Sequence, residues 1–446
     1  MTIVENRYLT GNFAPVHEEV TAVDLPVTGT IPESLRGRFL RNGPNPVSAV
    51  DPATYHWFGG DGMVHGVRLA DGAADWYRNR WVRAGGVIDA LGVPDPGGEI
   101  HSGMDFAANT NVIGHAGKTL AIVEAGGRPI ELSYELDTLR RGDFDGTLPN
   151  GFTAHPKRDP QTGELHAVCY WWGLGNQVQY IVVDTAGKVT KVVPIETTGA
   201  PMLHDMGLSE RYALVLDLPC VFDLELASAG RFPYTWDESY PARVGVLPRD
   251  GGNDDVKWFE IDPCYIFHPM NTFDDGDRVV FDAVRHPKMF ATELNGPNEG
   301  QPTLGRWTFD LSNGKVVEER LDDRGQEFPR HDERLIGKPY RYGYVLASDP
   351  GLVARGILKH DLHAGTKEEH DFGPGTHAAE PVFVPASDDA AEDDGYVMTF
   401  VYDEKTDRSD LVILHAQDFA GDPVASVHLP QRVPYGFHGN WVPDPD

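Results

Sequence analysis

Strand-length apolar runs closed by turn residues recur along almost the whole chain, and helical periodicity is scarce. "GVRLADGAADWYRNRWV", "VQYIVVDTAGKVTKVVPI", "RWTFDLSNGKVVEERL" and "GYVMTFVYDEKTDRSDLVILHA" are examples. Within them "LADGAAD", "DTAGK", "DDGDR" and "LSNGK" carry the Gly, Asn and Asp that tight hairpins need for positive φ. The pattern predicts an all-β chain of antiparallel hairpins. The one helix candidate is the short "ELSYELDTLRRG".

Many hairpins in one chain of 446 residues must manage their sheet edges, and radial repetition of four-stranded blades is one way to do so. Seven blades average roughly sixty residues each, compatible with ~40–50-residue blades plus insertions. No linker divides the chain, since "PASDDAAEDDG" (385–395) reads as an acidic loop, so one domain over 1–446 is expected.

A net charge of −30 repels nucleic acid and anionic lipid headgroups. No run reaches the apolar length of a membrane span, and the first residues lack the basic segment and apolar core of a secretory signal. The expected location is cytoplasmic. Cys169, Cys220 and Cys264 lie far apart and are odd in number, which argues against a disulfide framework. They read as small core or near-surface residues, a reactive thiol being the alternative.

The chain has 18 histidines. His17, His360, His363, His370 and His377 sit in polar, loop-like sequence and read as surface or hydrogen-bonded structural residues. His155 in "GFTAHPKRD", His204 in "APMLHDMGL", His268 in "YIFHPMN" and His438 in "VPYGFHGNW" differ. Each lies just before or within an apolar strand signal, among small or aromatic residues. Their spacing is far too wide for a zinc finger or an HExxH helix. It suits ligands projecting from different blades toward a common axis. Imidazole serves iron, zinc and copper alike, so ligand type does not choose the metal.

With "GRFLRNGPNP" (37–46) and "YHWFGGDGMVHG" (55–66), the four histidine segments resemble the carotenoid cleavage oxygenase family over nearly the whole chain. The resemblance implies a seven-bladed β-propeller, with loops forming a cap over an Fe(II) site on its axis. It implies His155, His204, His268 and His438 as the ligands. Glu124 in "AIVEAGG", Glu327 in "GQEFPR" and Glu380 in "AAEPVFVP" match three glutamates that receive the far N–H of His204, His268 and His438 in turn. Surface strand positions are the alternative for each glutamate. Thr110 in "ANTNV" matches a threonine near the open coordination position, or caps a turn.

The implied reaction adds both atoms of O2 across an alkene of a carotenoid or apocarotenoid, giving two carbonyl products and needing no organic cofactor. That fits a chain without a GxSxG, a P-loop or a GxGxxG opening a helix. The alternative substrate is a small aromatic alkene such as a stilbene or isoeugenol. Stilbene cleavers carry a lysine just before the first of these glutamates and a tyrosine upstream. Here Val123 holds the lysine position, and no tyrosine occurs between Tyr77 and Tyr134. Phe58, Phe267, Trp171, Trp172 and Phe437 are candidate tunnel-lining aromatics, with core packing as the other role. Residues 217–245 are short and mixed in polarity, so at most peripheral membrane contact is expected, through Val221, Phe222, Leu224 and Leu226. A propeller that only binds a ligand or partner is the non-enzyme alternative.

Overall fold

The hairpin signals resolve into hairpins. Ala70 pairs with Ala73 across Asp71 (φ 52°) and Gly72 (φ 75°), the two left-handed residues that match the twist of the flanking strands. Repeated along the chain, such turns build the computed structural model, which describes residues 5–349 and 353–445. Among the described residues seven larger antiparallel sheets and one accessory two-stranded sheet form.

The sheets are the blades of a propeller. In order of chain entry their innermost strands are Asn111–His115, Lys157–Arg158, Gly207–Leu208, Pro269–Asp275, Gln326–His331, Val382–Pro385 and Gly439–Pro443. From Gly207–Leu208 round to Asn111–His115, the innermost strands of successive blades pack on one another around the axis. The ring is closed twice. Gly439–Pro443 completes the blade begun by Gly37–Pro44, Arg41 pairing opposite Gly439. Val27–Gly29 adds an outer strand beside Ala425–His428 in the preceding blade. Edges that would otherwise template aggregation are thereby paired.

Cores lie between the sheets. One cluster gathers Val178, Tyr180, Leu214, Val244, Phe281 and Trp307 from three consecutive blades, all essentially inaccessible to solvent. Cys169, Cys220 and Cys264 are buried free thiols within these layers, each pushed up by burial, so the core reading of them holds.

Two readings are corrected. "ELSYELDTLRRG" is not a helix: Ile130–Leu132 and Thr138–Arg141 pair as strands, and Leu136 turns the chain at φ 72°. Leu132 and Leu136 have helical spacing, but both are buried by the sheet instead. His377 lies in the strand Thr376–Ala378, and His360 and His370 are likewise not in loops. Both are buried in strands, His360 bonded to Gln326 (2.8 Å) and His370 to the Phe419 carbonyl (3.1 Å). The α-helices found are Gly86–Leu91 and Leu224–Ser228, and no described helix is long and apolar enough to cross a membrane.

Burial pushes His56, His65 and His331 down to about 3 and His360 to about 4, from an ordinary 6.5. These imidazoles stay neutral in the fold and take protons on unfolding. Below 6.5 the unfolded chain therefore binds more protons than the native one, and stability falls with pH. We expect the urea midpoint of the metal-free protein to be flat above about pH 7 and to drop steadily between about pH 6.5 and 4. A midpoint that does not move over that interval contradicts the burial of these rings.

Candidate metal centre

His155, His204, His268 and His438 each stand just ahead of the innermost strand of a different blade. The strand fixes the backbone, and the turn into it points the ring at the axis. Glu327 lies in the innermost strand of a fifth blade and Glu380 just ahead of that of a sixth. The seventh blade supplies Thr110, directly before Asn111–His115, and Glu124, after its second strand Lys118–Ile122. Every blade thus sends a polar side chain toward one axial point.

Backbone irregularity aims several of them. The register slips between Pro269 and Asn271, next to His268, and between Glu327 and Arg330. Bulges of this kind re-aim side chains beside functional sites. Ala125 (φ 59°) follows Glu124, and Phe328 (φ 52°) follows Glu327. Left-handed non-glycine residues are costly and persist where the surroundings over-determine them. Gly436 permits a close approach: a Cβ there would come within 2.9 Å of the Asn42 carbonyl oxygen and of the Gly43 Cα.

One ring nitrogen from each of the four histidines lies within 4.8 Å of the others, and all four residues are buried. Three rings are anchored by carboxylates at Nδ1. His204 donates to Glu124 (2.9 Å), His268 to Glu327 (2.6 Å) and His438 to Glu380 (2.9 Å). With Nδ1 protonated, each Nε2 carries a lone pair toward the others. His204 Nε2 and His268 Nε2 stand 3.4 Å apart, and His155 Nε2 is buried without a partner. Lone pairs converging on one point with no proton between them are the donor set of a metal ion. The residues present fit such an ion.

The carboxylates are held in turn. Glu380 accepts from the Gly439 amide (2.7 Å) and pairs with Arg330 (3.2 Å). Burial alone would raise its carboxyl, but Arg330 and His438 bring it down to about 2. Glu327 bridges His268, His286 (2.6 Å) and the Phe328 amide, and those partners outweigh burial to hold it ionised. Glu124 turns both oxygens to His204 Nδ1, each at 2.9 Å, and Oε2 meets no second donor. Burial, then the neighbouring imidazoles, keep His155 neutral.

Sequence reasoning missed three supports. Asp205 stands 3.4 Å from His155 Nδ1 and is gripped by Lys157 (2.8 Å), so the fourth ring also faces a carboxylate. The signal was the Asp directly after His204. Arg330 and His286 brace Glu380 and Glu327 from other strands, and no local pattern marks them.

A cavity of about 400 Å³ opens on the centre, with His204, His268 and His438 in its wall. Phe58, Phe267, Trp172 and Phe437 line it, whereas Trp171 packs edge-on to His101 at 4.8 Å. The cap over it comes from loops and short elements: Trp57–Gly59, residues 105–107 and Phe232–Tyr234 all contribute. Val123 and Thr110 also line the cavity, and Thr110 donates to Asn109 (2.9 Å) while its carbonyl receives the His438 amide (3.1 Å). Val221 and Phe222 belong to the accessory hairpin, and Leu224 is exposed on the helix that follows. A second, polar cavity of about 930 Å³ reaches the cage past Asn111, Lys157, Arg330 and Asn440.

Residues 13–443 match the family described as retinal pigment epithelial membrane protein. The carotenoid cleavage oxygenase of Mycobacterium tuberculosis is 47% identical, over 98% of each chain. Among solved structures, the lignostilbene dioxygenase of Pseudomonas brassicacearum superposes with a TM-score of 0.90 at 30% identity, covering both chains fully. Cobalt-substituted apocarotenoid oxygenase of Synechocystis gives 0.87 at 27% identity, over 96% of this chain and 97% of that one.

Proposed function

The chain belongs to the carotenoid cleavage oxygenase family, and on that premise we propose that it is a non-haem iron(II) dioxygenase cleaving a C=C bond of a carotenoid or apocarotenoid. The observation that carries the reading is the converging set of four buried imidazoles at the floor of an aromatic-walled cavity.

His155, His204, His268 and His438 would hold the ion, and Glu124, Glu327 and Glu380 would orient three of the rings. A bound iron(II) supplies the activation of dioxygen, whose two atoms add across the alkene to give two carbonyl products. The chain does the rest by position. Protons on three Nδ1 atoms, held by carboxylates, keep each Nε2 available as a donor. Phe58, Phe267, Trp172 and Phe437 give an apolar surface that orients a flat alkene and excludes water. Thr110 narrows the cavity beside His438. No side chain is required as a nucleophile or general acid. An acidic surface and three unpaired cysteines support a cytoplasmic enzyme of one domain, 1–446.

Size favours a second reading within the same chemistry. A cavity of about 400 Å³ is at the small end for ligand sites, and it suits a shortened apocarotenoid or a small aromatic alkene. The likeness to a lignostilbene dioxygenase supports the latter. Against it, Val123 offers no hydrogen bond to a phenol.

Anaerobic reconstitution with Fe(II), iron analysis, and incubation under oxygen with β-apo-carotenals, resveratrol and isoeugenol test both readings. We expect one iron per chain and aldehyde products from the apocarotenals. Well under one iron per chain removes the enzyme reading. Cleavage confined to the aromatic alkenes overturns the carotenoid preference.

A further inference from the structure

The cavity wall away from the histidines holds a buried hydroxyl that the fold leaves poorly paired. Tyr234 begins the accessory strand Tyr234–Trp236, paired opposite Phe222. Its side chain lines the same cavity as His204 and His268, yet the residue is only 3% exposed. Its hydroxyl is buried and makes no well-formed hydrogen bond within the protein, facing only the hydroxyl of Tyr170. The ring is fixed by Phe232 at 5.6 Å and by Phe222 and Tyr170 at 6.0 Å, so the hydroxyl is not free to swing out to water.

Most other polar groups in this wall are committed to the protein, the indole Nε1 of Trp57 being a further buried group without a partner. Asn109 donates to the carbonyls of Phe58 (2.8 Å) and Gly60 (2.6 Å). Arg41 binds the Pro434 carbonyl (3.3 Å), Asp105 binds Arg141 (2.7 Å), and Tyr435 is bonded to His377. A buried hydroxyl left unpaired is costly, and a site that keeps one is built to pair it with something that enters.

We propose that Tyr234 determines specificity by donating a hydrogen bond to a neutral oxygen, a carbonyl or hydroxyl, carried by the alkene substrate. This rests on the dioxygenase reading and narrows it. The oxygen is neutral because the nearby charge is Glu124, the carboxylate that holds His204. Burial and that charge keep the phenol protonated, hence a donor, and the same charge repels a phenolate. Substrates ending in an aldehyde, ketone or alcohol are therefore favoured over pure hydrocarbons and over ionised phenols.

The test compares wild type with Tyr234→Phe on a β-apo-carotenal and on the matching hydrocarbon, in which a methyl group replaces the aldehyde. Tyr234→Phe is expected to raise KM for the aldehyde roughly 10-fold with kcat nearly unchanged, and to alter the hydrocarbon less than about 2-fold. Iron content and Tm are expected to match wild type. Equal losses on both probes overturn the proposal, because the residue then only packs. Loss of iron also overturns it, because the hydroxyl then serves Glu124. If wild type cleaves neither probe, the dioxygenase reading fails alone. Quenching of tryptophan fluorescence by the two probes still measures the Kd ratio, and a ratio unchanged by Tyr234→Phe overturns the proposal on its own.

Discussion

Replacing His438 with alanine is expected to abolish iron retention and turnover together while leaving the propeller folded. The backbone around this residue, not its ring, closes the structure. The Asn42 amide donates to the His438 carbonyl (3.0 Å), and Gly439–Pro443 keeps its ladder to Gly37–Pro44. Glu380 retains Arg330 and the Gly439 amide, so the substitution does not strand an unpaired buried charge. What is lost is one of four nitrogens facing the axis. Removing a partner outside the donor set usually costs about 10–100-fold in metal affinity or activity, and loss of a donor should exceed about 100-fold. Iron per chain after anaerobic reconstitution, read beside the circular dichroism spectrum, checks this. A folded variant that binds iron like wild type removes His438 from the ligand set.

Glu380→Gln is expected to weaken iron retention or activity by about 10–100-fold, and Glu124→Gln by clearly less. The two carboxylates differ in what meets their second oxygen. At Glu380 one oxygen takes the His438 Nδ1 proton, and the other takes the Gly439 amide. Arg330 adds further N–H donors on the same carboxylate. A glutamine amide must turn its NH2 toward one of these donors, setting N–H against N–H in a buried site. At Glu124 both oxygens face the single His204 Nδ1 proton and no second donor meets the carboxylate, so a glutamine can rotate to keep its oxygen on that proton. Competition for Fe(II) by a chelator of known affinity ranks the variants. If both retain iron equally well, the clamp at Glu380 is not what orients His438.

Much of this arrangement is legible in sequence because it is locally written. Turn pairs such as Asp71–Gly72 announce hairpins, and each histidine sits just ahead of the short strand that presents it. What local pattern cannot carry is partnership across blades. Asp205 and His155, or Arg330 and Glu380, meet only because successive innermost strands surround one axis. "ELSYELDTLRRG" misleads for the same reason. Its leucines carry a helical period, but strand pairing of Ile130 with Arg141 decides its form. The blade repeat stays hidden because insertions blur it. Cys220–Phe222, Leu224–Ser228 and Tyr234–Trp236 all fall between two neighbouring strands of one blade, Tyr212–Asp217 and Arg243–Pro248.

The double closure of the ring sets an order of events on the ribosome. Val27–Gly29 and the inner edge of Gly37–Pro44 are made early, but their partners Ala425–His428 and Gly439–Pro443 are made late. Until then a nascent chain presents open strand edges and three of its four imidazoles, and it depends on shielding from other chains. The set of four converging imidazoles is therefore completed only after the segment carrying His438 has threaded into place. A stalled or prematurely released chain is left both sticky and short of one of the four converging imidazoles.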